Sequence, residues 1–195
     1  MLKRLFDIIF SCFGLIVTSP LIILSAILIK IDSKGPVFYR GLRVGRFGKP
    51  FKMYKFRTMV VNADKIGGPS TSDDDPRLTK VGKFIRKYKL DELPQLINVF
   101  KGEMSIVGPR PEVPSEVETY NEEEKKILNV KPGITDYASL TFHNEGEILR
   151  GSADPHQTYK EKIRPEKLRL ALKYVEEHSF WIDLKIIFKT FKALI

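Results

Sequence analysis

The chain has 195 residues, enough for one domain with a real core and too short to expect two. Its 33 Lys and Arg against 24 Asp and Glu leave a net charge of +9, which favours an anionic partner: nucleic acid, an anionic membrane surface or phosphorylated substrates. Cys12 is the only cysteine, which excludes an intrachain disulfide and a cysteine-built zinc site, and His143, His156 and His178 lack ligand-like spacing.

The first element is the apolar run "LFDIIFSCFGLIVTSPLIILSAILI", residues 5–29. As one straight helix it would be about 38 Å long, enough to cross a bilayer core of about 30 Å. A cleaved leader is the weaker reading, because the run is longer than a usual leader core. Pro20 has no N–H for the Ile16 carbonyl, so a kink or break is expected at Ser19-Pro20, where the Ser19 hydroxyl can serve a freed backbone group. Broken there, the halves of about 22 Å and 15 Å are each too short to span. Basic residues flank both ends, Lys3 and Arg4 before and Lys30, Lys34, Arg40 and Arg43 after, which argues for both ends on the cytoplasmic side. Asp7 is within reach of Lys3 and Arg4 for neutralisation. A re-entrant helix and a proline-kinked span remain equally open on these grounds.

Next, "GPVFYRGLRVGRFGKPFKMYKFRTM" reads as two short strands near residues 37–40 and 51–56, with 45–50 as the turn. Gly41, Gly45 and Gly48 fit neither a dinucleotide fingerprint nor a P-loop. Lys52, Lys55 and Arg57 read as a solvated strand face, and Asp73, Asp74 and Asp75 as a solvated cap in a loop that would attract magnesium only if the backbone converged there. Helical patterns follow at about 79–89, 92–101, 114–129 and 164–178. In the last segment, "SFWIDLKIIFKTFKALI", Lys185, Lys189 and Lys192 make a narrow polar stripe beside a broad apolar face, which suits either a membrane interface or a core helix.

Two stretches carry chemistry. In "KLDELPQL", Asp91 can stand at the mouth of a helix whose first turn holds Pro94, so Asp91 and its neighbour Glu92 need not diverge as they would inside a helix. One acid could then attack a phosphorus while the other holds a divalent cation; the alternative is that Asp91 is only a helix cap. In "MSIVGPRPEVPSE", Pro109 and Pro111 stiffen the backbone around Arg110, presenting a fork suited to a diphosphate, or else forming a rigid connector with a solvated Arg. "VKPGITDYASL" adds a Pro132-Gly133 turn of type II.

"SP" in an apolar amino terminus, "KMYKFRTM", "DDDPRLTKVGKFIRKYKLDELPQLINVFKGEMSIVGPRPE" and "KPGIT", in that order, resemble the bacterial sugar transferases, the monotopic phosphoglycosyl transferases, over nearly the whole chain. The resemblance implies an enzyme that moves a sugar 1-phosphate from a UDP-sugar to a polyprenol phosphate, with magnesium and release of UMP. It implies a ping-pong mechanism with Asp91 as covalent nucleophile and Glu92 beside it, both near the metal, and matches Arg86, Pro109, Arg110 and Pro111 to substrate-binding positions. It also matches Ser19 and Pro20 to the kink of a re-entrant helix. Where relatives often carry an Arg ten residues after the glycine of "PGIT", this chain has His143, which puts a phosphate contact there in doubt.

The expected fold is therefore α/β: a small, mostly helical, membrane-associated domain with a short β-hairpin. It comprises a re-entrant membrane helix over 1–34 and a catalytic part over 35–195 that faces the cytoplasm at the inner membrane and ends in an interfacial helix. The expected partners are a UDP-sugar, a polyprenol phosphate and the lipid bilayer, with a homodimer left open and the chain reading as the small form of its family. The rival class is a non-catalytic, membrane-tethered basic protein; no nucleic-acid module is recognisable, so nucleic acid is not expected.

Overall fold

The computed structural model describes residues 1–68 and 70–194. A long helix, α1 (Leu2–Asp32), leads into an antiparallel hairpin of β1 (Phe38–Val44) and β2 (Pro50–Phe56), with Phe38 opposite Phe56 and Val44 opposite Pro50. Then come α2 (Lys80–Lys87), a single 3-10 turn (Leu90–Glu92), α3 (Gln95–Lys101) and β3 (Ser105–Val107). The short helix α4 (Pro114–Val117) and a 3-10 segment (Glu124–Asn129) precede β4 (Gly133–Thr135), which pairs parallel with β3. The chain closes with α5 (Tyr137–Thr141), α6 (Glu145–Ile148), α7 (Pro155–Thr158), α8 (Arg164–Glu177) and α9 (Phe180–Leu194). The expected hairpin is present, within a mostly helical chain.

The two halves expected on either side of Ser19-Pro20 are instead one continuous helix. The Ser19 hydroxyl donates to Ile16 O at 2.7 Å, the carbonyl that Pro20 cannot serve, and Thr18 does the same for Gly14 O at 2.7 Å. The helix is inverted relative to one in a water-soluble domain. Its buried face carries Asp7, Ser11 and Ser25 beside Ile29, while Ile9, Phe13, Ile16, Leu24 and Ile31 are exposed.

Both ends of α1 are fastened to the body. Arg4 donates to two carbonyls at the end of α3, Val99 O at 2.7 Å and Phe100 O at 2.8 Å. Lys3 pairs with Asp183 of α9 and donates to Val107 O at 2.9 Å, and Tyr174 donates to Asp183 Oδ1 at 2.7 Å. Asp7 therefore finds its partners elsewhere than the expected Lys3 and Arg4: it is buried, and its Oδ1 accepts from Ser105 Oγ and Ile106 N, both at 3.0 Å. At the far end Asp32 Oδ2 accepts from Val81 N at 3.2 Å, and Ile29 packs with Phe56 and Ile85.

A second core patch joins Phe51 and Met53 of β2 to Val99 and Met104. There Asn98 acts as a substitute strand, accepting from Tyr54 N at 2.9 Å and donating to Lys52 O at 3.0 Å, so the free edge of β2 is satisfied by α3. The α9 helix has a buried face and an outward one. Asp183 and Ile186 are buried, the latter with Val107 and Tyr174, while Trp181, Lys185, Phe188 and Lys192 face outward.

Two expectations over 114–135 are corrected. The helix expected over 114–129 stops after Val117, because Asn121 and Glu124 cap each other, Asn121 N to Glu124 Oε2 and Glu124 N to Asn121 Oδ1 at 2.9 Å, and start a new segment. Gly133 is not a turn residue; it begins β4, where a Cβ would stand 2.1 Å from Gly108 N. The glycines serve close backbone approach, which lets Gly133 N reach Pro109 O at 3.0 Å and holds the segment leading to Arg110.

Candidate active site

Asp91 and Glu92 lie in the 3-10 turn between α2 and α3, entered through Lys89 in a left-handed conformation at φ 56°. This sharp entry is what puts neighbouring side chains at one spot. The turn sits in the wall of a cleft of about 1640 Å³, above the size usual for a small-molecule pocket. Among the described residues Asp91 caps no helix end: neither Lys89 nor Pro94, the residues at the two helix starts, receives a side-chain cap.

The two acids are held in different ways. Both Glu92 oxygens accept from Arg110: Nη1 lies 3.1 Å from Oε2 and Nη2 bonds Oε1, and Lys55 Nζ adds a contact to Oε1 at 2.9 Å. Among the described residues Asp91 forms an ion pair with Lys55 alone, 3.8 Å from Oδ2, although its side chain is only 11% exposed. Burial pushes the Asp91 carboxyl above its ordinary value, against the pull of Lys55. Burial acts on Glu92 in the same sense, but Arg110 and Lys55 outweigh it and hold Glu92 well below the usual carboxylate range. Burial lowers the Lys55 ammonium, with Glu92 opposing, and Glu92 raises the Arg110 guanidinium.

Arg110 is presented as its flanking prolines predict, with Pro109 and Pro111 both buried. Its fork spends two N–H donors on Glu92, which leaves three of five for a ligand. Arg86, in the last turn of α2, lines the same cleft and makes no side-chain hydrogen bond or ion pair among the described residues. His143 stands apart on the exposed rim, its Nδ1 3.3 Å from Leu140 O. The structure thus gathers Asp91, Glu92, Arg86 and Arg110 at one cleft, with Pro109 and Pro111 as supports and His143 peripheral.

Lys55, expected on a solvated strand face, instead pairs with both acids. Strand alternation held the signal: Phe51, Met53 and Lys55 share one face of β2, and the first two are buried. Arg57 is likewise buried, donating to Pro36 O, Ser33 O and Ser33 Oγ at 2.6 to 3.0 Å. The triple Asp gathers no metal-ligand cluster among the described residues; Asp73 and Asp74 are exposed, as a solvated cap requires, and Asp75 alone of the three is buried. Asp75 pairs with Arg77 at 2.7 Å, Asp73 with Arg150 at 3.4 Å, and Asp74 accepts from Gly151 N at 3.3 Å.

Residues 1–195 match the model of the bacterial sugar transferase family. The chain belongs to this family. Among its relatives is a UDP-glucose:undecaprenyl-phosphate glucose-1-phosphate transferase of Klebsiella pneumoniae, 43% identical over 99% of this chain and 40% of that protein. A UDP-N-acetylgalactosamine-undecaprenyl-phosphate N-acetylgalactosaminephosphotransferase of Aeromonas hydrophila is 36% identical over all of this chain and 44% of its own length. The sugar transferase EpsL of Bacillus subtilis is 39% identical over all of this chain and 87% of its own length. This family member therefore spans less than half of the first two relatives and most of the third.

For magnesium the test is the donor set. Among the described residues no three His, Cys, Asp or Glu side chains gather as ligands. The site offers two adjacent carboxylates, which fits an ion that takes one or two protein carboxylates and completes its shell with substrate phosphates and water.

Proposed function

We propose that this family member transfers a sugar 1-phosphate from a UDP-sugar to a polyprenol phosphate by a ping-pong route through Asp91. The observation that carries this reading is the unequal pairing of the two acids: Glu92 is locked between Arg110 and Lys55, while Asp91 is buried, its single ion-pair partner among the described residues is 3.8 Å away, and it opens on the cleft. A desolvated carboxylate with little to hold it is a nucleophile, and a locked one is a positioning group. An Asp91 oxygen attacks the phosphorus that bears the sugar, the bond from that phosphorus to the UMP oxygen breaks, and UMP leaves, giving an acyl phosphate. A phosphate oxygen of the lipid then attacks the same phosphorus, releasing the Asp91 carboxylate and the lipid diphosphate sugar. Arg86 and the spare donors of Arg110 hold the diphosphate in line, and Glu92 keeps the Arg110 fork oriented. Asp91 and Glu92 would hold magnesium, which when bound neutralises diphosphate charge.

The outward apolar face of α1 supports a seat in the membrane, and the fastening of both its ends to one body supports a cytoplasmic location for both. A spanning helix would separate those ends by about 46 Å of helix across the bilayer, with the body on both sides. On this reading residues 1–34 are the membrane segment, entering and leaving one leaflet of the inner membrane, and 35–195 the catalytic part. The exposed Trp181, Phe188 and lysines of α9 rest at the interface. Single cysteines near Lys3 and Lys34 in a Cys12-free background should both be shielded from an impermeant external thiol reagent; labelling of one alone would establish a span.

The chemistry is tested by incubating the protein with UDP-sugar and magnesium without lipid. A sugar-phosphate mass increment on the peptide containing Asp91, absent in Asp91→Asn, is expected. Turnover that persists in Asp91→Asn with no adduct in the wild type would end the covalent assignment.

A further inference from the structure

A group of cations lies at the amino-terminal end of α1, and none of them lines the catalytic cleft. Gly102 ends α3 at φ 84°, and the point where its Cβ would stand is 3.2 Å from Arg4 Nη2 and 3.5 Å from Lys131 Nζ, so cations from two elements crowd one bare backbone position. Arg46, in the turn between β1 and β2, donates from Nε to Asn129 O at 2.8 Å, which brings a third cation to the segment that carries Lys131. Among the described residues Arg4 and Arg46 donate to backbone carbonyls alone, and Lys131 Nζ has neither a hydrogen bond nor an ion pair. The acids around them are engaged elsewhere: Asp183 by Lys3, Glu103 by Lys101 at 3.2 Å, and Asp7 by Ser105 and Ile106. Burial lowers the Lys131 ammonium, and Arg4, Arg46 and Lys3 lower it further against the pull of Asp7. The three like charges repel one another, a cost that an anion seated among them would remove.

The surroundings of these cations are apolar and outward. Leu2 and Leu5 are exposed on either side of Arg4 in the sequence of α1. Phe47, next to Arg46, is 64% exposed in a left-handed conformation at φ 59° that a bulky residue rarely adopts, and the Arg46 guanidinium lies 4.4 Å from its ring centroid. An exposed aromatic ring held at a cost in backbone strain marks a contact made outside the chain. Cations at headgroup level beside side chains suited to hydrocarbon match a phospholipid with a negative head better than a soluble phosphate, which has no use for the apolar part. We infer that Arg4, Arg46 and Lys131 form a binding site for the head of an anionic phospholipid, whose acyl chains lie along the outward face of α1 and against Phe47. This rests on the membrane seat proposed above and adds to it a preference for anionic lipid. Because the site is separate from the acid pair, the lipid held there is a structural partner and not a substrate.

The test uses the full chain in a neutral detergent, with Tm read after addition of phosphatidylglycerol, of phosphatidylcholine at the same mole fraction, or of glycerol 3-phosphate at the same concentration. Phosphatidylglycerol should raise Tm by about 5 °C more than phosphatidylcholine does when in large excess over its Kd, and glycerol 3-phosphate should raise it little. The double variant Arg46→Gln with Lys131→Gln leaves the cleft untouched, so it should keep nearly the wild-type Tm without lipid and lose most of the difference between the two lipids. Lys131→Gln alone should lose part of it, and keeps the test sharp if the double variant fails to fold. Arg86→Gln, which removes a cation from the cleft, should retain the whole difference. Equal shifts by both lipids in the wild type, or a difference that survives in the double variant, would overturn the site. A difference abolished by Arg86→Gln would place the lipid in the cleft, and glycerol 3-phosphate as effective as phosphatidylglycerol would make the ligand a soluble phosphate; either overturns the proposal. Release of the wild type from membranes by an alkaline carbonate wash would instead remove the membrane seat on which it rests.

Discussion

Replacing Asp7 tests whether α1 is part of the folded body. Its Oδ1 alone accepts both hydrogen bonds from β3, and Ser105 is fully buried, so water cannot take its place. Asp7→Ala leaves the Ile106 N–H and the Ser105 hydroxyl without a partner, at about 1–3 kcal/mol each, for a loss of about 3 kcal/mol. In a domain of this size that lowers Tm by about 6–12 °C. Asp7→Asn can keep both bonds through its own carbonyl oxygen; it loses their charge-assisted strength but also sheds the desolvation of a buried charge, so its loss should be about 1 kcal/mol. Thermal unfolding of the detergent-solubilised variants, followed by intrinsic fluorescence, gives the ranking wild type, Asn, Ala. Asp7→Ala within 1 kcal/mol of wild type, or Asn as damaging as Ala, would refute the claim that these two bonds hold α1 to β3.

Lys3→Met and Asp183→Asn should be strongly non-additive in a double-mutant cycle on Tm, because each removes the same contact between α1 and α9; simple additivity would mean the pair carries nothing. Arg110→Lys keeps the charge and loses the fork that holds both Glu92 oxygens, so turnover should fall by about tenfold or more with Tm nearly unchanged; a matching fall in Tm would make Arg110 a structural connector. Lys55→Met should likewise cost turnover out of proportion to stability, in contrast to Lys52→Met on the exposed face of β2, which should cost neither. Gly133→Ala drives a Cβ to 2.1 Å from backbone and should cost several kcal/mol, whereas Gly48→Ala, at φ 73° with open space around it, should cost only about 1 kcal/mol.

Local patterns were legible where one face of one element decides the outcome. The hairpin follows from alternation and turn residues, and the Ser19 hydroxyl answers Ile16 O as its sequence position predicts. The acids could be singled out from "KLDELPQL", but not their inequality, which depends on Arg110 arriving from eighteen residues downstream. The pairing of β3 with β4 involves three residues on each side and a glycine contact across the chain, with no periodicity to announce it. The false helix over 114–129 is a different failure: the reciprocal cap of Asn121 and Glu124 was written in the sequence and outweighed by apolar spacing. The place of Lys55 follows from the face of β2 it shares with buried Phe51 and Met53, a signal that its residue type alone does not carry.

The inverted character of α1 bears on how the protein could be handled outside lipid. Cutting the chain after Ser33 would not release a soluble miniature, since it would strip Phe56 and Ile85 of Ile29 and orphan the β3 donors that Asp7 serves. The outward apolar residues of α1, such as Ile9, Phe13, Ile16 and Leu24, touch solvent rather than core. Recoding that outer stripe with glutamate, lysine and glutamine while keeping Lys3, Arg4, Phe6, Asp7, Ser11, Gly14, Ile22, Ser25, Ala26 and Ile29 would preserve the inward contacts described above. The result would be a water-soluble form with its catalytic cleft intact, obtained by repainting one surface of the helix instead of removing it.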